Sequence, residues 1–319
     1  RRRPPNIDPK LDIRRNMSDG VSMQADQTLS DMPLLDAFRE LVKPRIVTMV
    51  LVTAAIGYFL GGRGFHDLLN LLLTLIGTGL AAGGSAALNN YLERDIDAFM
   101  PRTRNRVLPS GRIEPGTALA FGILMVLSGV GLLAWLVNLL AAFLVLLTAF
   151  LYVLVYTPLK KLTWLNTPIG AIPGALPTMV GWAAACGELS AGAWVLFAIL
   201  FVWQHPHFYA IAWMYREDYR QAGFKMLSVV DPSGRRVFRQ AIGFSLLLIP
   251  VSMCLTWLKV TGDVYLFGAI VAGAGMLAAS VMLWNAQTAI AARRVLMASV
   301  FYLPALLLLI VIDASLASR

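Results

Sequence analysis

Charged side chains are scarce in this 319-residue sequence: Asp, Glu, Lys and Arg together make up 14% of it, against roughly 25% in a typical soluble domain. Hydrophobic residues account for 58% and fall into nine long runs, each close to the roughly 20 residues that a helix needs to cross a bilayer. So little charge and so many apolar runs exclude an ordinary soluble protein. The sequence therefore predicts an all-α membrane protein, built as a bundle of about nine transmembrane helices.

Cysteine is nearly absent as well. Cys186 and Cys254 are the two cysteines of the chain, and both lie inside apolar runs without the spacing of a metal site. Neither a disulfide framework nor a cysteine metal site is therefore expected, and both side chains are expected to act as small apolar packing residues.

The apolar runs define a membrane domain with a polar segment at each end. Residues 1–33 are rich in proline and charge and are expected to form a disordered arm. Residues 34–315 form the predicted membrane domain, which begins with a short amphipathic segment over residues 34–45, and residues 316–319 form a tail. The predicted spans are roughly 46–62, 68–91, 117–137, 139–158, 167–186, 191–214, 239–258, 263–284 and 294–313.

Lysine and arginine are distributed unevenly between the two sides of the membrane. The loops after the second, fourth, sixth and eighth predicted spans hold fifteen of them, whereas the opposite side holds three. Because positive charge is retained in the cytoplasm, the N-terminus and these loops are predicted to be cytoplasmic. Topology thus explains the net charge of +9, and the expected partner is a lipid bilayer rather than nucleic acid. Since the leader lacks a clear amphipathic transit helix, a bacterial inner membrane is predicted in preference to the mitochondrial one.

The charged loops also carry carboxylates, which topology alone does not require. Asn89, Glu93 and Asp97 follow one another at four-residue steps, so on a helix their oxygens line one stripe. Like charges at this spacing repel, and the arrangement becomes favourable when a cation lies between them. Carboxylate and amide oxygens suit Mg²⁺, which usually binds together with substrate phosphates. The alternative is an ordinary solvated loop whose charges pair with one another.

Basic side chains follow this stripe in the sequence. Arg102 and Arg106 lie in the loop after the second span, and arginine can bind phosphate oxygens through two parallel hydrogen bonds. After the fourth span, Lys160 offers a point charge and Tyr156, one turn earlier, offers a hydroxyl. Together with the stripe, these residues predict a site for a magnesium diphosphate. Taken alone, Lys160 is a weak signal, because lysines commonly extend to the membrane interface.

Two of the three histidines lie in the apolar sixth span. His205 and His207 are surrounded by Trp203, Phe208 and Tyr209, and ionisable groups inside a membrane are commonly functional. At a spacing of two residues the histidines point to different sides of a helix, so both cannot ligate one ion without local unwinding. They are predicted to bind a substrate inside the bundle. The alternative is one histidine satisfied within the bundle and one that faces a cavity.

These motifs resemble those of the UbiA-type intramembrane prenyltransferases. The stretch from Asn89 to Asp97, followed by the arginines, is similar to the first aspartate-rich motif of the family. Tyr156 and Lys160 match its Tyr-x-x-x-Lys motif. The similarity covers about residues 35–315, and the combination of motifs is specific although no single motif is.

Within the family, the run Trp203–Phe208 and the segment Glu217–Tyr219 resemble the members that farnesylate haem. The resemblance implies a magnesium-dependent transfer of farnesyl from farnesyl diphosphate to a vinyl group of protohaem IX (haem B), which gives haem O for terminal oxidases. It also implies haem A synthase as a candidate partner. The implied catalytic and metal-binding residues are Asn89, Glu93, Asp97 and Asp218, with Lys160 also catalytic, and the implied substrate-binding residues are Arg102, Arg106, Tyr156, Lys160, His205 and His207.

Two positions depart from the family pattern. Glu93 stands where many members have Asp, which keeps the charge but lengthens the side chain by a methylene group. The second Asp-x-x-x-Asp motif is incomplete, because Met214 and Ala222 lie four residues to either side of Asp218, and Glu217 is an alternative ligand. Three other interpretations are considered: a prenyltransferase with a quinone or other aromatic acceptor, a secondary transporter, and a structural assembly factor. A transporter would place its charges near the membrane midplane, whereas these carboxylates cluster at one face beside arginines, and an assembly factor would not need the stripe.

Overall fold

A computed structural model describes residues 33–317, with side chains up to residue 313. Apart from Pro33, the predicted arm lies outside this part of the chain, as do residues 318–319 of the predicted tail. The described part consists of helices and short connections, without strands. The helices are α1 (Leu34–Val42), α2 (Pro44–Gly61), α3 (Leu68–Asp97), α4 (Pro115–Leu136), α5 (Leu139–Phe150), α6 (Thr157–Leu162), α7 (Asn166–Cys186), α8 (Ala191–Met214), α9 (Arg216–Gln221), α10 (Leu227–Val230), α11 (Arg235–Trp257), α12 (Asp263–Ala286) and α13 (Ala289–Ala317).

Within residues 33–317, nine segments are long and apolar enough to cross a membrane, which confirms the predicted architecture. Eight are single helices, and the remaining one joins α5, a π-helical turn over Leu151–Tyr156 and α6 into one span. The second span, predicted to end near residue 91, continues as helix to Asp97. This extension places the acidic segment on the same rigid helix as the apolar span.

Large apolar side chains cover the outside of the bundle. Trp135 is 89% exposed, Phe267 73% and Phe301 68%. An apolar surface of this kind is unfavourable in water, whereas it is the expected surface of a helical bundle surrounded by lipid chains.

Small residues allow neighbouring helices to approach closely. α2 and α7 cross where a side chain at Gly57 would overlap the carbonyl of Thr178, and one at Gly181 would overlap the carbonyl of Ala54. Helix association in membranes relies on such close packing, because lipid chains are as apolar as the helix surfaces. The crossing holds the second half of α2 against α7.

The loops after the second, fourth and sixth spans meet at one end of the bundle. We call this the charged end, and it comprises residues 98–114, 163–165 and 215–234. Ile96 packs in one apolar cluster with Phe224 and Met226, and the backbone N–H of Lys225 donates to the carbonyl of Lys160 at 2.8 Å. Residues that are far apart in sequence are thereby gathered around the end of α3.

Candidate active site

The predicted stripe of oxygen ligands, Asn89, Glu93 and Asp97, lies on the last turns of α3. These side chains are 2%, 6% and 1% exposed, respectively, so the stripe faces the protein interior. Burying a carboxylate is unfavourable unless it is paired. The partners of the stripe therefore determine what the site can bind.

Both carboxylates of the stripe hold cations from other segments. Lys160 Nζ lies 2.6 Å from Glu93 Oε1, and Arg106 Nη1 lies 2.6 Å from Asp97 Oδ2. The charges do pair with one another, as the solvated-loop alternative expects, but the pairs lie inside the protein. Two residues predicted to bind diphosphate are thus in direct contact with two predicted metal ligands.

Lys43 is a member of this cluster that the sequence analysis did not single out. It is the one residue between α1 and α2, and its φ of 53° lies in the left-handed region, which is uncommon for residues other than glycine. The ammonium group donates to Asn89 Oδ1 at 2.9 Å. Burial lowers the pKa of Lys43 to about 7, and the charges of Arg106 and Lys160 act in the same direction. The signal in the sequence was a lysine directly before the proline that begins a span.

A π-helical turn shapes the part of the fourth span that faces the stripe. Thr157 Oγ1 donates to the carbonyl of Tyr152 at 2.9 Å and accepts from Asn89 Nδ2 at 3.1 Å. Pro158 has no N–H to continue the regular helical hydrogen bonds, and the wider turn over Leu151–Tyr156 precedes it. Such turns are frequent at functional sites. Here the turn connects the fourth span to the first residue of the stripe.

The ring of Tyr156 lies beside a cation of the cluster. Lys160 Nζ lies 4.6 Å from the centroid of the Tyr156 ring. The ring of Tyr152 stacks on Tyr156 with 5.7 Å between centroids. Aromatic faces attract cations, so this side of the site suits positive charge.

Arg102 and Tyr219 lie at the outer edge of the cluster. The Arg102 guanidinium lies 5.3 Å from the ring centroid of Tyr215. Burial raises the pKa of the Tyr219 phenol, on which the charges of Arg102, Lys160 and Glu93 also act. Tyr219 therefore lies near the stripe, although the sequence analysis noted it only as part of a motif.

The second acidic motif lies on the short helix α9. Glu217 forms an ion pair with Arg220 at 2.6 Å, and hydrogen bonds from Arg220 and Gln221 lower the pKa of Glu217 to about 2. Asp218 is half-buried. Among the side chains that the structure describes, no three acidic, histidine or cysteine groups lie close enough together to hold a metal ion. The structure thus unites the stripe with three cations but leaves Asp218 outside any three-carboxylate group.

A cavity of about 180 Å³ adjoins the stripe, and Lys43, Asn90, Asp97 and Arg106 contribute to its wall. Asp97 Oδ1 and Asn90 Oδ1 are buried and have no hydrogen-bond partner within the described residues. Buried acceptors without partners are unfavourable. These two oxygens are therefore available to accept a hydrogen bond or a cation.

The two histidines of α8 contact different helices. His205 is fully buried, with Nδ1 2.7 Å from the carbonyl of Phe201 and its ring stacked on Phe244 of α11 at 3.7 Å between centroids. His207 is half-buried, with Nδ1 2.7 Å from Ser299 Oγ of α13. The structure separates them, as their two-residue spacing predicts.

Buried oxygen ligands beside three cations, at one end of an apolar bundle, are the arrangement expected of an intramembrane enzyme with a phosphorylated substrate. Residues 50–304 match the UbiA prenyltransferase family. The chain belongs to this family and is a membrane-embedded prenyltransferase.

The chain is also similar to individual curated enzymes. Protoheme IX farnesyltransferase of Solibacter usitatus is 48% identical over 284 residues, which cover 86% of this chain and 97% of that protein. The enzyme of the same name from Salinibacter ruber is 47% identical over 273 residues, with 86% and 96% covered.

Solved structures share the fold at low sequence identity. A digeranylgeranylglyceryl phosphate synthase superposes with a TM-score of 0.74 at 20% identity, covering 89% of this chain and 99% of that one. A UbiA homolog from Archaeoglobus fulgidus, bound to GPP and Mg²⁺, superposes with a TM-score of 0.59 at 16% identity, covering 86% and 99%. These likenesses establish the nine-span prenyltransferase fold.

Proposed function

We propose that this protein transfers a farnesyl group from farnesyl diphosphate to a vinyl group of protohaem IX, giving haem O. The observation that carries the proposal is the buried stripe with its three cations, in a chain 48% identical to a protoheme IX farnesyltransferase over 86% of its length. The diphosphate is assigned to the charged end and the haem to the histidine segment of α8.

The oxygen donors of the stripe fit a magnesium ion. Asn89, Glu93 and Asp97 offer hard ligands of the kind that Mg²⁺ prefers, and Asp97 Oδ1 is buried without a partner. These three residues would hold the ion, and we propose Asp218 as a further ligand from the second motif. A bound Mg²⁺ would offset the negative charge that develops on the leaving diphosphate.

The cations of the cluster are proposed to bind the diphosphate oxygens directly. Lys43, Arg106 and Lys160 are held beside the stripe before any ligand binds, and Arg102 lies at the exposed edge. We infer that they contact the phosphates from these positions when the diphosphate enters beside the stripe. Charged groups that are already in place need little reorganisation, which is the main source of electrostatic stabilisation in enzymes.

The proposed reaction exchanges a carbon–oxygen bond for a carbon–carbon bond. The bond between the first farnesyl carbon and the diphosphate oxygen breaks, and the diphosphate leaves with the electron pair. The terminal vinyl carbon then bonds to the farnesyl carbon, and water adds to the other vinyl carbon as a proton is released. The apolar bundle keeps water from the allylic cation.

The haem is proposed to lie against the aromatic side of α8. Trp203 and His207 stack with 5.1 Å between ring centroids, and Phe208 adjoins His207. Aromatic walls suit a large planar π-system, and imidazole is a common ligand of haem iron. The segment of α8 that contains His205 and His207 is accordingly the proposed haem-binding segment. A quinone or other aromatic acceptor has no metal for an imidazole to ligate.

Product analysis tests the proposed reaction. The purified protein in lipid nanodiscs is given labelled farnesyl diphosphate and Mg²⁺, with haem B in one sample and a hydroxybenzoate in another. We expect a haem that has gained one farnesyl group and one hydroxyl, and no label in the haem when Asp97→Asn protein is used. Labelled hydroxybenzoate with unchanged haem would instead establish the aromatic-acceptor alternative.

We further propose that the enzyme works in the bacterial inner membrane and passes its product to haem A synthase. The support is chemical: a farnesylated haem is poorly soluble in water, so its transfer within one membrane is favoured. Membrane fractionation and co-purification with haem A synthase in the same lipid test both points. Recovery of the protein in another membrane, or no association, would contradict them.

A further inference from the structure

Ser299 of α13 joins two aromatic side chains of α8. Its backbone carbonyl accepts from Trp203 Nε1 at 2.9 Å, and its hydroxyl oxygen lies 2.7 Å from His207 Nδ1. Ser299 is fully buried. Because Trp203 and His207 are one helical turn apart and stacked, a single buried residue sets the position of both rings.

The hydrogen bonds around Ser299 also determine which nitrogen of His207 carries the proton. The Ser299 hydroxyl donates its one hydrogen to the carbonyl of Leu296 at 2.6 Å. It can therefore only accept from His207, so Nδ1 of His207 is the N–H donor. In the neutral imidazole, Nε2 then carries the lone pair, and Nε2 has no hydrogen-bond partner among residues 33–313.

His205 has the same tautomer but a different environment. Its Nδ1 faces the carbonyl of Phe201, which only accepts, so its Nε2 also carries a lone pair. That nitrogen is enclosed by protein and has no partner within the described residues, and the ring lies flat against Phe244. A planar ligand the size of haem would have to displace these neighbours to reach it.

We propose that His207, and not His205, ligates the haem iron through Nε2, and that Ser299 is the positioning residue that prepares it. The inference rests on the proposed haem substrate and specifies how that substrate is recognised. A histidine that ligates a metal normally donates its other N–H to a fixed partner, which sets the tautomer and the ring orientation. The chain Leu296–Ser299–His207 has this form, whereas His205 serves the packing between α8 and α11.

This assignment makes His207 a residue that selects the acceptor. Iron ligation would hold the haem iron at His207, at a set depth below the charged end. An acceptor without a metal could not form this bond to Nε2. His207 and Ser299 are therefore expected to affect haem affinity and to leave farnesyl diphosphate affinity unchanged.

Matched asparagine substitutions test the iron ligand. Asparagine places an amide N–H near the position of Nδ1 and lacks Nε2, so His207→Asn keeps a donor to Ser299 and His205→Asn keeps one to the Phe201 carbonyl. We expect ferric haem bound to His207→Asn to lose the absorbance spectrum of imidazole-ligated iron and to regain it on addition of free imidazole. His205→Asn is expected to keep the wild-type spectrum.

A serine pair tests the positioning role. Ser299→Ala removes the acceptor for His207, and Ser280→Ala is the matched control, because Ser280 is also fully buried and hydrogen-bonds across helices, to Ser245 Oγ at 2.9 Å. Loss of the partner of a metal-ligating histidine typically weakens affinity by about 10–100-fold. We expect a loss of this size for haem in Ser299→Ala and none in Ser280→Ala, with farnesyl diphosphate affinity unchanged in both.

The outcomes separate this inference from the proposed function. If the wild-type protein farnesylates haem but its spectrum survives His207→Asn and is lost in His205→Asn, the inference is wrong and the proposed function stands. If both substitutions leave the spectrum unchanged, neither histidine of α8 ligates the iron and the inference is likewise overturned. Failure of the wild-type protein to bind or modify haem would overturn the proposed function itself.

Discussion

Opposing charges act on Lys43, the least expected residue of the site. Burial and the charges of Arg106 and Lys160 favour its neutral amine, whereas Glu93 and Asp97 favour the ammonium form. The balance lowers the pKa of Lys43 to about 7, so near neutral pH the two forms are both populated. An entering diphosphate would favour the charged form, which links substrate binding to uptake of a proton.

We predict that this link appears as a pH dependence of diphosphate binding. A lowered pKa means that the charged Lys43 is present below about pH 7 and is lost as the pH rises through that value. Affinity for farnesyl diphosphate, measured by calorimetry without added metal, should therefore fall by up to about tenfold per pH unit above pH 7. Lys43→Arg stays charged over this range and should remove the dependence. An unchanged slope in Lys43→Arg would assign the titration to another group.

The carboxylates of the stripe are predicted to serve charge rather than packing. We expect Glu93→Ala and Asp97→Ala to lower the rate of haem farnesylation by at least about 100-fold. Glu93→Asp should retain part of the activity because the carboxylate remains. Since Glu93→Ala also leaves buried Lys160 unpaired, at a cost of about 3–5 kcal/mol, Glu93→Gln is the control that preserves side-chain size. Thermal unfolding in detergent checks that each variant is folded. Wild-type turnover in excess chelator would contradict a magnesium site.

At the scale of helices, the site depends on two irregular segments. The left-handed residue between α1 and α2 brings a lysine to the stripe, and the π-helical turn before α6 brings a threonine to its first residue. Each departs from regular helix beside a proline, Pro44 or Pro158.

The π-helical turn is predicted to orient Asn89. Thr157→Val removes the hydroxyl that accepts from Asn89 Nδ2 while it keeps the shape of the side chain. If Asn89 is a magnesium ligand, the loss of this partner should weaken the apparent magnesium affinity by about 10–100-fold. Thr148→Val is the matched control, because Thr148 bonds only to the carbonyl of Leu144 in the same span. The apparent magnesium affinity of each variant is measured by titrating turnover with Mg²⁺. If both substitutions weaken it equally, the cause is a disturbance of the whole span and not the loss of the bond to Asn89.

The stability of the protein is predicted to be sensitive to added side-chain volume where α2 and α7 cross. Gly181→Ala would force a methyl group into the carbonyl of Ala54, and overpacking of this kind costs about 1–3 kcal/mol or more. Gly275→Ala, on α12, meets nothing within 4 Å and should be neutral or slightly stabilising, since alanine favours helix. Thermal unfolding of both variants in one detergent compares them, and equal melting temperatures would mean that the crossing can relax.

For the molecule as a whole, the mechanism requires that the charged loops share one side of the membrane. The distribution of lysine and arginine predicts that this side is cytoplasmic. We expect reporter domains fused after Arg112 or Arg235 to be cytoplasmic, and those fused after Glu188 or Asp263 to be outside. A reversed or mixed pattern would contradict the shared face and with it the site.

The sequence by itself determined the class, the number of spans and the membership of the stripe. These follow from local patterns: the length of apolar runs, and the helical repeat that places Asn89, Glu93 and Asp97 on one face of a single helix. The motif resemblance likewise pointed to the prenyltransferase family, which the comparisons confirm.

Only the tertiary structure decided what the stripe and the histidines contact. Lys43 lies 46 residues from Asn89 and Ser299 lies 92 residues from His207, and no local pattern encodes which helices meet at these points. Lysine before a span and serine within one are common in membrane proteins, so their types carry little information. Their roles arise because burial removes water as a competing partner, and each buried polar group must then find its partner on whichever helix packs beside it.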